Sequence, residues 1–296
     1  MVAAQLRTRR PPACRNVLLF EPNEWPGRGR VALPGTDSRA RHVRGVLGSA
    51  PGDELRVGVV GGPLGRASVL HPSGSPPSDE PLRLRWEADL EQQEAPPRVD
   101  LLLAMPRPKA FKRLVAPLVA LGLGRLYVAK AQRVEKSYLA KASALGEDSL
   151  YAEVLRGLEQ SERSRVPGVY KAWKLRALVA ALAAGADPVD DPEAGCVEVL
   201  APRPGPGPSG PSGYRALVVA HPGAAATVPE AAAAAAGGGR VLLAVGPEGG
   251  WQEEEMAMLA KAGFRAAALG DQNRPLTTET ACVALLSLVK HSLGDW

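Results

Sequence analysis

Residues 242–255 read LLAVGPEGGWQEEE. An apolar run with strand character passes directly into Gly-Pro-Glu-Gly-Gly and then into Glu253, Glu254 and Glu255. Strands that end in glycine-rich turns are where α/β folds place ligands, because the strand's carboxyl end and the next helix's amino end leave N–H groups pointing outward. Gly246, Gly249 and Gly250 permit a ligand to come close to the backbone. The three glutamates fall in the first turn of the following helix, where the macrodipole favours carboxylates, so their role is read as structural.

Two other segments are built alike. AHPG at residues 220–223 and LGDQNRPLTTETA at residues 269–281 also follow apolar strands, so three strand-end loops can converge on one site. Around them the spacing predicts a strand at 216–220, a strand at 240–245, a helix at 252–262, a short strand at 264–269 and a last helix at 279–293. Further upstream, VDLLLAM (residues 99–105) reads as a buried strand, residues 109–121 as a helix with a kink at Pro117, and RLYVA as a second strand. Strand, helix, strand at this spacing argues for a parallel α/β sheet. Helical sequence follows at 150–162 and 175–184, with VYKAW between them.

The first part of the chain has a different texture. NVLLF, RVAL, ELRVGVV, RASVL and LRLRW are short, extended segments separated by Gly, Pro and Asp, which predicts a small β-rich domain over residues 15–90 with a hairpin turn at Gly61 and Gly62. Residues 73–81 read as a surface loop and residues 91–97 as an interdomain linker. The second domain spans 98–296, interrupted at about 201–214 by PRPGPGPSGPSG, which cannot bury a core and reads as a disordered insertion.

Composition narrows the function. The chain has 296 residues, 36 Lys+Arg against 31 Asp+Glu, a net charge of +5 and a pI near 9.2, a balance that fits a polyanionic partner such as nucleic acid, with an ordinary basic surface as the alternative. Cys14, Cys196 and Cys282 are far apart and form no Cys-x-x-Cys pair, so neither a disulfide framework nor a zinc knuckle is expected, and a reducing compartment fits, cytoplasmic or organellar. His42, His71, His221 and His291 share no metal spacing, and no metal is expected. No run of eighteen apolar residues predicts a membrane span. The first thirteen residues carry Arg7, Arg9 and Arg10 and no acid, as a transit peptide does, but strand-like sequence begins by Val17. A nucleotide-dependent oxidoreductase is disfavoured, because no Gly-x-Gly-x-x-Gly follows the first strand and no Walker lysine motif is present.

The order HP, strand-GPEGG-aromatic, GF, LG and Arg-x-Leu-x-Thr-Glu-Thr-Ala resembles the RsmE family of ribosomal RNA uridine N3-methyltransferases, of the SPOUT class. LLAMPRPKAFKR (102–113), RVEKSY (133–138) and EQSERSRVP (159–167) are similar to the family's upstream signatures, and LPG, HVRGVL and PGDELRV to its amino-terminal domain. The resemblance implies an α/β fold whose carboxy-terminal methyltransferase domain carries a trefoil knot, preceded by a PUA-like β-barrel that binds RNA. It implies S-adenosyl-L-methionine as cofactor, small-subunit ribosomal RNA as partner, and a homodimer. By the same resemblance the cofactor lies among Val245, Gly246, Pro247, Glu248, Gly249, Gly250, Leu269, Gly270, Leu276, Thr278, Ala281 and His221.

Methylating N3 of uridine requires a weakly acidic N–H to lose its proton while negative charge develops on the base, and a permanently charged, bidentate arginine suits that task. Arg274 is the candidate, with Glu279 as a proton acceptor or a partner of the helix dipole. The sequence departs from the family pattern Arg-Ile-Leu-Arg-x-Glu-Thr-Ala: it reads Arg274-Pro275-Leu276-Thr277-Thr278-Glu279, with Asp271, Gln272 and Asn273 ahead of it. Thr277, in place of the second arginine, either weakens catalysis or caps the last helix. A catalytically silent RNA-binding protein of the same fold is therefore the rival reading. Arg39, Arg41, Arg44, Arg133 and Arg163 are the candidate RNA contacts. Aromatic residues amount to only 4%, too few for a stacking platform alone.

Overall fold

Alternating apolar runs and continuous apolar runs build different sheets. The computed structural model describes residues 16–25, 27, 29–70, 80–86, 95–139, 146–188, 193, 195–200, 213–270 and 276–295, and contains one sheet of each kind. Backbone contacts divide the chain into two units, Met1–Gln93 with Glu159–Ser164, and Glu94–Leu158 with Arg165–Trp296.

The first unit holds β1 (Leu18–Phe20), β2 (Gly29–Leu33), α1 (Ser38–Gly45), β3 (Glu54–Val59), β4 (Leu64–Leu70) and β5 (Leu82–Trp86) in a sheet of order β1-β3-β4-β5-β2. All neighbours are antiparallel except β1 and β3. The hairpin joining β3 to β4 turns at Gly61, whose φ of +71° L side chains rarely adopt. Alternation sorts β5: Leu82, Leu84 and Trp86 are buried, Arg83 and Arg85 exposed. Trp86 meets Phe20 and Trp25 edge-on, with centroids 5.4 and 3.9 Å away. The helix α1 was not anticipated. Its apolar stripe is only Ala40 and Val43, so its formation rests on the Asp37 N-cap, which accepts the Arg39 N–H at 2.8 Å, and on tertiary packing.

The second unit contains β6 (Val99–Ala104), α2 (Pro108–Ala120), β7 (Arg125–Ala129), α3 (Glu147–Ser161), β8 (Gly168–Ala172), α4 (Leu175–Ala183), β9 (Cys196–Leu200), β10 (Ala216–Ala220), α5 (Val228–Ala232), β11 (Val241–Val245), α6 (Glu253–Lys261), β12 (Arg265–Ala267) and α7 (Thr278–Leu293). The last residues of α3 cluster with the first unit. The sheet runs β12-β10-β11-β6-β7-β8-β9, parallel throughout except at the unanticipated edge strand β9. Every residue of β6 and β11 is buried, the composition of strands covered on both faces. The helix α2 starts at Pro108, whose missing N–H is no loss in a first turn, and runs through Pro117.

From β6 the chain steps outward through β7 and β8, whereas from β11 it steps the other way to β12. This reversal makes the carboxyl ends of β6 and β11 a topological switch point, the place where open α/β sheets bind ligands. After β12, at the far edge, the chain returns: α7 packs on α2, α5, β11 and β6. Of the insertion expected at about 201–214, residues 201–212 lie outside the described residues, as do 71–79, 91–94 and Cys14, whereas Tyr214 belongs to the folded unit, its hydroxyl donating to Asp100.

At the amino ends of the central strands lies a buried ionic cluster. Asp100, wholly buried, accepts from the Arg125 N–H at 2.9 Å, the Tyr214 hydroxyl at 2.6 Å and Arg240 Nη2 at 2.5 Å. Burial beside the Asp100 charge pushes Tyr214 well above its ordinary range, so its hydroxyl stays a donor.

Candidate methyl-transfer site

Three loops leave the carboxyl edge of adjacent strands. His221 and Pro222 follow β10, Gly246 to Gly250 follow β11, and Ala268, Leu269 and Gly270 follow β12. Parallel register brings them together, with Val219 opposite both Ala244 and Ala266.

The glycine-rich loop is clamped from two sides. The Glu248 carboxylate accepts the backbone N–H of Arg107, the N-cap of α2, at 3.3 Å. Glu255 is buried, and its two oxygens accept the backbone N–H groups of Gln252 at 2.9 Å and of Gln132, in the loop after β7, at 2.8 Å. Arg133 Nη1 donates to the Gly249 carbonyl. The turn itself closes by the Gly250 N–H to Pro247 carbonyl bond at 2.8 Å, and Gly250 has a φ of +72°. Among Glu253, Glu254 and Glu255, the third therefore does more than complement the helix dipole: it ties two loops.

Gly246 has a distinct reason to be glycine. A Cβ there would sit 3.0 Å from Trp251 Nε1 and 3.1 Å from its Cδ1. Trp251 is buried, and among the described residues its indole N–H has no hydrogen-bond partner. Leu269 and Leu276 are exposed at 38% and 44%, and among the described residues nothing lies within 4 Å of a Cβ added at Gly250 or Gly270. Solvated leucines beside exposed backbone fit a ligand with an apolar, flat part and several polar groups. Glu248, Gly249, Gly250 and Gly270 are exposed, whereas Val245, Pro247 and Thr278 are buried and shape the loops from beneath. Ala281 lies one turn into α7, its N–H bonded to the Thr277 carbonyl at 2.9 Å. His221 folds onto its own turn, with Nδ1 accepting the Gly223 N–H at 3.2 Å.

Arg274 lies outside the described residues, as do Asp271, Gln272, Asn273 and Pro275. Thr277 is the N-cap of α7 and accepts the Thr280 N–H at 3.3 Å. Glu279, in the first turn of α7, receives Arg113 Nε and Nη2 on Oε1 at 2.9 and 2.7 Å. Cys282, one turn on, is no nucleophile: burial, chiefly, and the Glu279 charge push its thiol up and keep it protonated. Among the described residues no group of His, Cys, Asp and Glu could hold a metal ion, and no helix is long and apolar enough to cross a membrane.

Of the candidate RNA contacts only Arg133 stands at this site; Arg39, Arg41, Arg44 and Arg163 belong to the first unit. Arg39 must be reassigned. Its five N–H groups go to Asp37, Glu24 and the Leu19 carbonyl, and its guanidinium lies 5.2 Å from the Phe20 ring centre. No donor remains for a phosphate, so Arg39 is a fastener of the first unit's core. Arg44 donates to the Glu80 carbonyl, while Arg41 is exposed. Arg107, Arg113 and Trp251 were missed as contributors; the signal for Trp251 was the aromatic directly after Gly249-Gly250.

The model of a family described as RNA methyltransferase domain matches residues 93–290. Ribosomal RNA small subunit methyltransferase E of Treponema pallidum is 25% identical over 95% of this chain and 92% of its own. Among solved structures, ribosomal RNA small subunit methyltransferase E of Neisseria gonorrhoeae, bound to S-adenosyl methionine, superposes with a TM-score of 0.64 at 20% identity over 93% of this chain and 97% of that one. A Legionella pneumophila protein described as a methyltransferase with bound SAM gives 0.60 at 18% identity, over 93% and 97%. The α/β fold is shared with these methyltransferases.

Proposed function

We propose that this chain, which belongs to the RNA methyltransferase domain family, methylates N3 of a uridine in small-subunit ribosomal RNA with S-adenosylmethionine as donor. The observation that carries the reading is the clamped glycine loop at the switch point, where Glu248, Glu255 and Arg133 hold exposed backbone beside two solvated leucines. Those residues fit the donor: Gly249, Gly250 and Gly270 offer backbone polar groups, and Leu269 and Leu276 offer apolar surface for a purine. When bound, the donor supplies an electrophilic methyl group. The chain's own part is to orient the uracil and manage its charge. Arg274 stabilises negative charge on the uracil oxygens as N3 loses its proton. Glu279 Oε1 is occupied by Arg113, and Oε2, which carries no hydrogen bond among the described residues, is the atom that accepts a proton.

The return of α7 from the sheet edge to α2 and β6 supports a trefoil knot in the carboxy-terminal part. The first unit's mixed sheet serves as a PUA-like RNA-binding domain, and a homodimer working in the cytoplasm or an organelle completes the reading. The rival, an RNA-binding protein without catalysis, is favoured by Thr277, which caps α7 where the family pattern has arginine. Incubation with S-adenosylmethionine and small-subunit ribosomal RNA, followed by nucleoside mass spectrometry, separates them. N3-methyluridine is expected from the parent and not from Arg274→Ala, with cofactor affinity retained. Cofactor and RNA binding without product would establish the rival.

A further inference from the structure

The carboxyl edge of the sheet is electrostatically lopsided. Of the helices starting there, α6 follows the dipole rule with three glutamates in its first turn. The helices α2 and α4 invert it. Each has a basic N-cap, Arg107 and Lys174, without a side-chain capping bond and without an acid in the first turn. Lys109 and Arg176 add exposed positive charge to those first turns. At α2 the Glu248 carboxylate answers this charge by accepting the Arg107 N–H at 3.3 Å; at α4 the inverted end leaves positive potential that suits an anionic partner.

Trp173 stands at the same rim, one residue beyond β8. It is the one exposed aromatic side chain among the described residues, at 42%, and Lys171 Nζ lies 5.9 Å from its ring centre. Lys174 follows directly; its Nζ reaches Glu193 only at 3.9 Å, a solvated pair of little strength. A singly exposed apolar residue is ordinary. An indole among cations, on a rim of inverted helix ends, is the combination by which proteins hold single-stranded nucleic acid: a flat face for a base and positive charge for its phosphates.

We propose that Trp173 is a stacking platform for an unpaired base of the substrate RNA, with Lys171 and Lys174 on the adjoining phosphates. The inference rests on the ribosomal RNA reading given above. Three strand spacings of about 4.8 Å separate the ends of β8 and β11, so Trp173 lies roughly 14 Å along the edge from the glycine loop. That is too far for the base being methylated, and suits a nucleotide flanking it on the same strand. Composition alone disfavoured a platform of many aromatics. One indole reinforced by cations needs no others.

The test uses the full chain and a transcript of small-subunit ribosomal RNA. Trp173→Ala is expected to weaken RNA binding by roughly 5- to 150-fold, the loss of one base stack. Trp173→Phe retains most of the affinity, and S-adenosylmethionine binding, measured by calorimetry, is the same in all three proteins. Replacing Lys171 and Lys174 together by alanine lowers the salt dependence of RNA binding, whereas Trp173→Ala leaves that slope unchanged. Equal RNA affinity in the parent and Trp173→Ala overturns the inference and leaves the methyltransferase reading standing. So does a change of oligomeric state in Trp173→Ala, which would give the face to a second copy of the chain. A parent that binds no ribosomal RNA removes the functional reading and this inference together.

Discussion

Replacing Gly246 by alanine isolates the glycine loop from the rest of the fold. The backbone there lies outside the left-handed region, so alanine meets no torsional objection; the whole effect comes from its Cβ. That atom would stand 3.0, 3.1 and 3.2 Å from three atoms of the Trp251 indole, inside the 3.4 Å at which ordinary contact begins. Relief requires the indole to shift by about half an ångström within a packed environment, a case of overpacking that costs about 1–3 kcal/mol. The unpartnered Nε1 puts the effect near the lower end, because moving it breaks no hydrogen bond. For a unit of this size, about 1–2 kcal/mol lowers the melting temperature by roughly 2–8 °C. Calorimetric titration with S-adenosylmethionine is the decisive assay. Displacing Trp251 shifts the neighbouring turn at Gly249 and Gly250, and the expected loss of cofactor affinity is about tenfold or more. A Gly246→Ala protein that melts with the parent and binds the cofactor equally well would refute both the packing argument and the assignment of this loop as the cradle.

Three further outcomes are expected. Asp100→Asn leaves Arg240 and the Tyr214 hydroxyl facing an amide instead of a carboxylate, and breaking such a buried pair costs about 3–5 kcal/mol; a melting temperature within about 2 °C of the parent would contradict it. Thr277→Ala removes the α7 cap, at about 1 kcal/mol. Thr277→Arg loses the cap equally but supplies the family's guanidinium, and its methyl transfer is expected to exceed the parent's; equal or lower transfer speaks against that role. In the first unit, hydrogen bonds from Arg39 hold the Glu24 and Asp37 carboxyls below their ordinary values of 4.5 and 3.8. Carboxyls so depressed stabilise the fold above those values and lose that contribution as acid protonates them. Urea melts from about pH 5 to pH 3 should therefore show a shallower loss of stability in Arg39→Met than in the parent, and parallel acid limbs would count against the assignment.

What the sequence made legible followed from period and punctuation. The apolar runs of β6 and β11 and the glycine turn after β11 could be read directly, because a strand buried on both faces keeps nearly every position apolar, Asp100 at the start of β6 being the exception. The helix α1 could not, since two buried residues within eight give no helical stripe and its cap signal, Asp37, also reads as a loop residue. The strand β9, CVEVL, is a five-residue edge strand against β8, and its glutamate breaks the all-apolar run that marks the central strands. At the site, glycine and leucine positions were legible from motif order, while the tie made by Glu255 was not: a glutamate in a first turn satisfies the dipole rule whether or not its oxygens reach another loop. Arg39 was misread for the opposite reason. Four basic or histidine residues in a row of six resemble a phosphate-binding face, and only the fold reveals that carboxylates from outside the helix claim one of them.

The strand β6 has a consequence for biosynthesis. Its two neighbours in the sheet are β7, made soon after it, and β11, made more than a hundred residues later. At translation speeds of about 5–20 residues per second, one flank of this largely apolar segment stays open on the ribosome for on the order of ten seconds. Until β11 docks, the nascent chain offers an adhesive border to any other unfolded polypeptide nearby. Yield in the cell should therefore depend on holdase chaperones more than the finished protein's stability would suggest.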